Sequence, residues 1–306
     1  MELSVVVPTL DGRERVGRPL DALAGADAEV VVVNGPSTDG TAGLVRDHPA
    51  VDRLVEVAER NLAVARNAGV EQSTGGAVAF LADGSAPEGR WLGAIGDALA
   101  DGADAVTGPV HRSVAGGVTT ETEESRTVAG RAVTFFDGGN VALTRTALDA
   151  LDGFDEYLAV GSARDAAHRL AGMGYRVAWH PAVAVRRGEA RDPAARFADT
   201  GHDDGPAWGR RYRSLAYRLL KNYGLRPRVV GRVARRAAGD GAGALLGVLR
   251  GEGSASAWVG NGRDVVASAV GGGQDGLAAR RADPTPRRNP NGVSARSDRV
   301  VARTEP

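Results

Sequence analysis

The chain has 306 residues, 42% of them hydrophobic, with no cysteine and a formal net charge of zero. That is ample apolar material for one large or two small cores, and it excludes disulfides and thiolate metal sites. The neutral total hides a division: residues 1–200 hold 29 acidic and 19 basic side chains and residues 201–306 hold 9 and 19, so the two parts carry about −10 and +10. The second part is therefore expected to face something anionic, whether a membrane surface, a phosphate-bearing substrate or nucleic acid. Met1-Glu2-Leu3 leads straight into a strand-like run with no signal-peptide character. No apolar run reaches the roughly 18 residues of a spanning helix. The expectation is a cytoplasmic protein, free or peripheral on the inner face of the membrane.

Leu3–Val7 is an apolar strand candidate that stops at Pro8-Thr9-Leu10-Asp11-Gly12, and Arg15–Ala24 then carries Val16, Leu20 and Leu23 at helical spacing. Ala28–Val33 contains four consecutive valines, β-branched throughout, which read as a strand buried on both faces. The polar turn after it, Asn34-Gly35-Pro36-Ser37-Thr38-Asp39-Gly40, supplies short oxygens to cap a helix beginning near Thr41. Asp52–Val57 is a weaker strand, Asn61–Gln72 a helix, Ala77–Ala82 a strand ending in Asp83-Gly84-Ser85, Trp91–Ala100 a helix and Ala105–Thr107 a strand. Alternation at this spacing predicts an α/β sheet, mainly parallel, with ligands outside the carboxyl ends of its strands. The turn after the first strand lacks the Gly-x-Gly-x-x-Gly of dinucleotide-binding folds, so a nucleotide would be held in another way.

Several of these segments, taken together, resemble the family 2 glycosyltransferases of the GT-A fold. They are Val5-Val6-Val7-Pro8-Thr9, Asn34-Gly35-Pro36-Ser37, Arg66-Asn67-Ala68-Gly69, Phe80-Leu81-Ala82-Asp83, Gly138-Gly139-Asn140, Gly153-Phe154-Asp155-Glu156 and His180-Pro181. The resemblance covers about residues 1–187. It implies a GT-A nucleotide-diphospho-sugar transferase fold at 1–200 and a transferase that moves a sugar from a nucleotide-sugar donor to a hydroxyl acceptor. On the matching positions it places Pro8, Thr9, Asp11, Asn34, Ser37, Arg66, Asn67 and Asp83 at the donor. It also implies a divalent metal, Mg²⁺ or Mn²⁺, held by an Asp-x-Asp motif. That motif falls on Ala82-Asp83-Gly84, and one carboxylate is a poor site for a hard cation. A histidine of the pattern falls at Arg186 or Arg187, where a guanidinium could offset the diphosphate charge instead, so metal-independent transfer is the expectation. The catalytic base position falls on Ala163. Asp165, in the first turn of a helix starting near Ser162, is the surviving carboxylate and the expected base, although a charge there also stabilises a helix by itself. His168 is a second base by chemistry alone.

Beyond residue 200 the text changes. Trp208–Tyr223 spaces Tyr212, Leu215, Leu219 and Tyr223 at helical intervals among arginines and Lys221, and basic residues continue to Arg236. Such a stretch over 208–236 suits an anionic membrane surface, or packs on a neighbouring domain; a nucleic-acid reading has no accompanying motif. Leu245–Arg250 and Asp264–Val270 are short helix candidates within a basic helical extension at 201–281, and 282–306, rich in Pro and Asn, reads as a disordered tail. This extension resembles those of archaeal members acting on lipid-linked glycans, which implies a glycan or lipid-linked acceptor. The loss of carboxylates at positions 82, 84 and 163 keeps a second class open, a non-catalytic relative that binds a sugar nucleotide or a partner protein.

Overall fold

A computed structural model describes residues 2–114, 117–188, 207–249 and 255–305. These residues form two compact units, the first within 1–126, 132–200 and 291–306 and the second within 127–131 and 201–290.

The first unit is built on the alternation seen in the sequence. β1 (Leu3–Thr9), β2 (Glu29–Asn34), β3 (Arg53–Val57) and β4 (Ala77–Leu81) run parallel, with β4 and β2 on either side of β1 and β3 beyond β2. Their crossovers are α1 (Gly17–Leu23), α2 (Thr41–Arg46) and α3 (Leu62–Gln72). Val30–Val33 are all buried, which is the outcome expected of a strand covered on both faces. α4 (Trp91–Ala100) then leads to β6 (Ala105–Thr107), after a short β5 (Ser85–Pro87). β11 (Asn140–Thr144) enters antiparallel between β4 and β6, and β12 (Val177–Trp179) lies parallel to β6. A smaller sheet joins β5, β13 (Val185–Arg187), β7 (Val110–Val114) and β8 (Gly117–Thr120), and β9 (Glu124–Val128) pairs with β10 (Arg131–Phe135). α5 (Arg145–Leu151) and α6 (Ser162–Met173) complete the unit.

The closing residues differ from expectation. β14 (Val300–Thr304) pairs antiparallel with β3 and closes that edge of the eight-stranded sheet. Just before it, the fully buried guanidinium of Arg299 meets Glu156 and Glu71, and Arg296 meets Glu59 and Glu156. Composition gave no sign of this, because the acids that order the segment lie about 140 to 240 positions upstream.

In the second unit the helices α7 (Ala207–Tyr223), α8 (Pro227–Leu249) and α9 (Ala255–Ala282) replace the two short candidates; Arg250, the last residue of the first candidate, lies outside the described residues. The aromatic stripe of α7 is inside. Tyr212, Tyr217, Leu219 and Tyr223 are buried, so it packs within its own unit instead of presenting interfacial aromatics. The approach of α9 is close because Gly272 and Gly276, four apart on one face, lie against the backbone of Arg213 and Tyr217, where any Cβ would overlap a carbonyl.

Asp283 follows α9 and ties the turn beyond it, accepting from Thr285 N–H and hydroxyl, Asn289 N–H and Arg287. Burial raises its pKa, and these donors more than reverse that, bringing it down to about 2 from an ordinary 3.8. The folded value is the lower one. The stabilisation is therefore complete above about pH 4 and is lost as pH falls through about 2. Asp283→Asn is expected to cost about 1–2 kcal/mol at neutral pH and to flatten the stability profile over that acid window, read by urea unfolding from pH 7 to 2.

Candidate functional site

The carboxyl ends of β1 and β4 open on a cavity of about 730 Å³ within the first unit. Its floor is Pro8, Leu81 and Ala82, and Gly138 and Gly139 form one wall. These two glycines are required by close approach, since a Cβ at Gly138 would overlap Arg66 and Ala163, and one at Gly139 would overlap Ala82. Asn140 anchors the same turn from within the core: Trp91 Nε1 donates to its Oδ1 at 2.9 Å, and its Nδ2 donates to the Val183 carbonyl at 2.8 Å.

Arg66 reaches the cavity from α3 and is itself buried. It donates to Ser162 Oγ at 3.1 Å and to the Gly138 carbonyl at 2.8 Å, and it stacks on Phe154. One side chain thus joins the Arg-Asn segment, the Gly-Gly-Asn turn and the start of α6. The amino end of α6 also opens on the cavity through Ser162, Ala163 and Arg164, and its unpaired N–H groups add positive potential there.

Arg187 enters from β13, buried, with Nε donating to Ser85 Oγ at 2.9 Å and both terminal nitrogens on Asp137 at 3.0 and 3.1 Å. Burial raises the Asp137 pKa, but the Arg187 guanidinium, the Gly139 N–H and Arg112 together hold it below the usual carboxylate range. Arg186, its neighbour, points the other way along the strand. It is exposed, pairs with Glu88 at 2.6 Å and does not line the cavity. Of the two arginines expected to offset a diphosphate, only Arg187 stands where it could.

The remaining expected residues divide into three groups. Asp11, Asn34 and Ser37 meet at the turns after β1 and β2: Ser37 Oγ donates to Asn34 Oδ1 at 2.7 Å and accepts from Asp11 N–H at 2.8 Å, while the Asp11 carboxylate takes Thr38 N–H and Arg60. Thr9 and Asp83 lie between that cluster and the cavity, with Thr9 Oγ1 donating to Asp83 at 3.0 Å and Arg15 paired with the same carboxylate at 2.9 Å. Asn67 belongs to neither. It is buried and holds Phe154 by both backbone groups and Glu156 by its side chain, so its work is to fasten the Gly153–Glu156 turn to α3.

Asp165 is a correction. Its side chain and that of Arg169 are both 0% exposed and paired at 2.7 Å, and Arg169 also donates to the Leu151 and Gly153 carbonyls. The carboxylate faces the core on the side of α6 away from the cavity, where it cannot take a proton from a substrate. His168 is likewise buried, edge-on to Phe135, and does not line the cavity.

Four carboxylates do line it: Asp137, Glu121, Glu123 and Glu124. Glu121 is held by Arg112, and Glu124 by Arg164 and Arg126, which lower its pKa with the Arg164 hydrogen bond as the largest cause. Glu123, between β8 and β9, pairs with no arginine among the described residues; Ser125 Oγ donates to it at 3.2 Å. Its acidic run is plain in the sequence, but only the fold brings it to the cavity that Ala163 also lines.

The implied metal finds no fitting set. Asp83 is committed to Thr9 and Arg15, and Asp137 to Arg187. Among the described residues no three His, Asp or Glu side chains converge. Hard cations need several oxygen ligands together.

Residues 4–152 match the family described as Glycosyl transferase family 2. Just under half of the chain is thus similar to a family 2 glycosyltransferase domain. Asp165, Arg186 and Arg187 lie beyond the matched span. Glycosyltransferase AglE of Haloferax volcanii is 31% identical over 99 residues, 29% of this chain and 33% of AglE, so the match spans about a third of that relative. The mannosyltransferase PcManGT from Pyrobaculum calidifontis, solved in complex with GDP-Man and Mn2+, is similar at a TM-score of 0.53 and 20% identity over 88% of this chain and 86% of its own. S. aureus TarS 1-349 in complex with UDP-GlcNAc is similar at 0.54 and 18% identity over 72% and 67%. Likeness at such identities establishes the fold, which is GT-A, with the domain's cavity at the carboxyl ends of its parallel strands.

Proposed function

We propose that the protein transfers a sugar from a nucleoside-diphosphate donor to an acceptor hydroxyl in the 730 Å³ cavity, without a catalytic metal. The observation that carries this reading is the pairing of buried Arg187 and Arg66 with the amino end of α6 around one cavity of a family 2 domain. Nucleoside-diphosphate sugars are the ligands of the two similar solved proteins, GDP-Man and UDP-GlcNAc. The turn cluster Asp11, Asn34 and Ser37 suits the nucleoside end, since amide and hydroxyl groups read a base by hydrogen bonds.

In the reaction the acceptor oxygen forms a bond to the anomeric carbon as the bond from that carbon to the donor phosphate breaks, and the electron pair leaves with the nucleoside diphosphate. Glu123 takes the acceptor proton. Its carboxylate is the base because the other three cavity acids are held by arginines. Arg187 and Arg66 offset the leaving-group charge, where a fork of N–H donors pairs with phosphate oxygens. Asp137 keeps Arg187 aimed until the donor arrives.

The acceptor is proposed to be a glycan or lipid-linked hydroxyl, reached at an anionic membrane surface through the basic residues up to Arg236. No helix among the described residues is long and apolar enough to cross a membrane, so contact would be peripheral. Incubation with UDP- and GDP-sugars tests the reading. Release of nucleoside diphosphate from at least one donor, raised by an acceptor, is expected; donor binding without release would favour the non-catalytic relative.

A further inference from the structure

The second unit contains its own cavity of about 340 Å³, apart from the sugar-transfer site. Its lining joins an apolar floor, Val128, Leu219 and Val229, to three arginines of α8, Arg228, Arg232 and Arg235. Their spacing of four and three residues sets the guanidinium groups along one helical face. None of the three has a hydrogen-bond or carboxylate partner among the described residues. The nearby acids are engaged elsewhere: Asp240 with Tyr212 and Arg211, Asp275 with Arg213, and Asp283 with Arg287.

The arrangement is costly as it stands. α8 has no acidic residue in its first turn, where the partial positive charge of the helix end favours one, and Arg228 sits there instead. Cations also crowd the neighbourhood, since burial and then Arg288, Arg226 and Arg131 depress the pKa of Arg280. In the turn that leads into α8, three residues before Arg228, the apolar side chain of Leu225 is 69% exposed. A cationic cavity with an apolar floor is matched by a ligand with a phosphate head on an apolar body.

We infer that this cavity is a headgroup site for an anionic phospholipid of a bilayer, with the phosphate among Arg228, Arg232 and Arg235 and with Leu225 entering the interface. The inference deepens the membrane reading of the basic unit and rests on it, but not on sugar transfer. It also relocates the contact, from the aromatic stripe of α7 to the first turns of α8.

The test is flotation of the full chain with vesicles of phosphatidylcholine alone or of phosphatidylcholine with phosphatidic acid. The wild-type protein is expected to float only with the second. The triple variant Arg228→Gln, Arg232→Gln, Arg235→Gln should bind on the order of a hundredfold more weakly, and Leu225→Ser should weaken binding without a charge change. A control with the same charge change at exposed Arg46, Arg263 and Arg281 should bind nearly as the wild type does, and circular dichroism of each variant should match the wild type because the altered side chains are not in a core. If the control weakens binding as much as the triple variant, the attraction is diffuse and the headgroup site falls while membrane binding stands. If the wild-type chain floats with neither vesicle, both fall.

Discussion

Replacing Glu123 with Gln is expected to lower kcat for transfer roughly 10²–10⁴-fold, the span associated with loss of a general base, and to leave donor binding unchanged. Gln keeps the size of the side chain and removes only the capacity to take a proton. The split matters because Glu123 lies on the exposed connection between β8 and β9, where a residue with a merely structural role would alter neither kcat nor stability. Asp at the same position, shorter by one methylene, should restore part of the rate. A kcat for Glu123→Gln equal to that of the wild type would remove the residue from the mechanism. Calorimetric donor binding beside initial-rate kinetics reads both quantities.

Asp165→Ala should act in the opposite way. Removing one partner of a fully buried ion pair leaves Arg169 charged in the core, and such changes cost about 3–5 kcal/mol. Urea unfolding is expected to show that loss, while the folded fraction retains its kcat because Asp165 does not reach the cavity. The double variant Asp165→Leu, Arg169→Met should recover part of the stability, since no unpaired charge remains. Recovery is incomplete because the Leu151 and Gly153 carbonyls lose their Arg169 donors. A catalytic loss in Asp165→Ala without destabilisation would return the residue to the role of base.

These two residues illustrate what could be read from the chain alone. The valines of β2 and the turns after β1 and β4 announced the sheet and the cavity end, because strand burial and chain breaks are local properties. The pairing of Asp165 with Arg169 was also local, an i, i+4 match on one helix face, and it pointed to structure rather than chemistry. Asn67 and Arg186 were misplaced for a related reason. Each shares a motif with a neighbour that does reach the cavity, but adjacent residues on a helix or strand face different directions. Glu123 and β14 were hidden by distance. Glu123 becomes distinctive only when the other cavity acids are seen with their arginines, and the tail is ordered by Glu59, Glu71 and Glu156, which no local pattern connects to Arg296 and Arg299.

In the proposed reaction guanidinium charge does what a divalent ion would otherwise do, a reading supported by Arg187 at the cavity and by the lack of a fitting metal set among the described residues. Nucleoside-diphosphate release by the full chain, measured in EDTA and again with added Mn²⁺, for the wild-type protein and for Arg187→Gln, tests it most directly. Release by the wild type should be unchanged by EDTA and reduced at least about a hundredfold in Arg187→Gln, the scale seen when one preorganised charge stabiliser is removed. Release that stops in EDTA and returns with Mn²⁺, or that survives intact in Arg187→Gln, would contradict it.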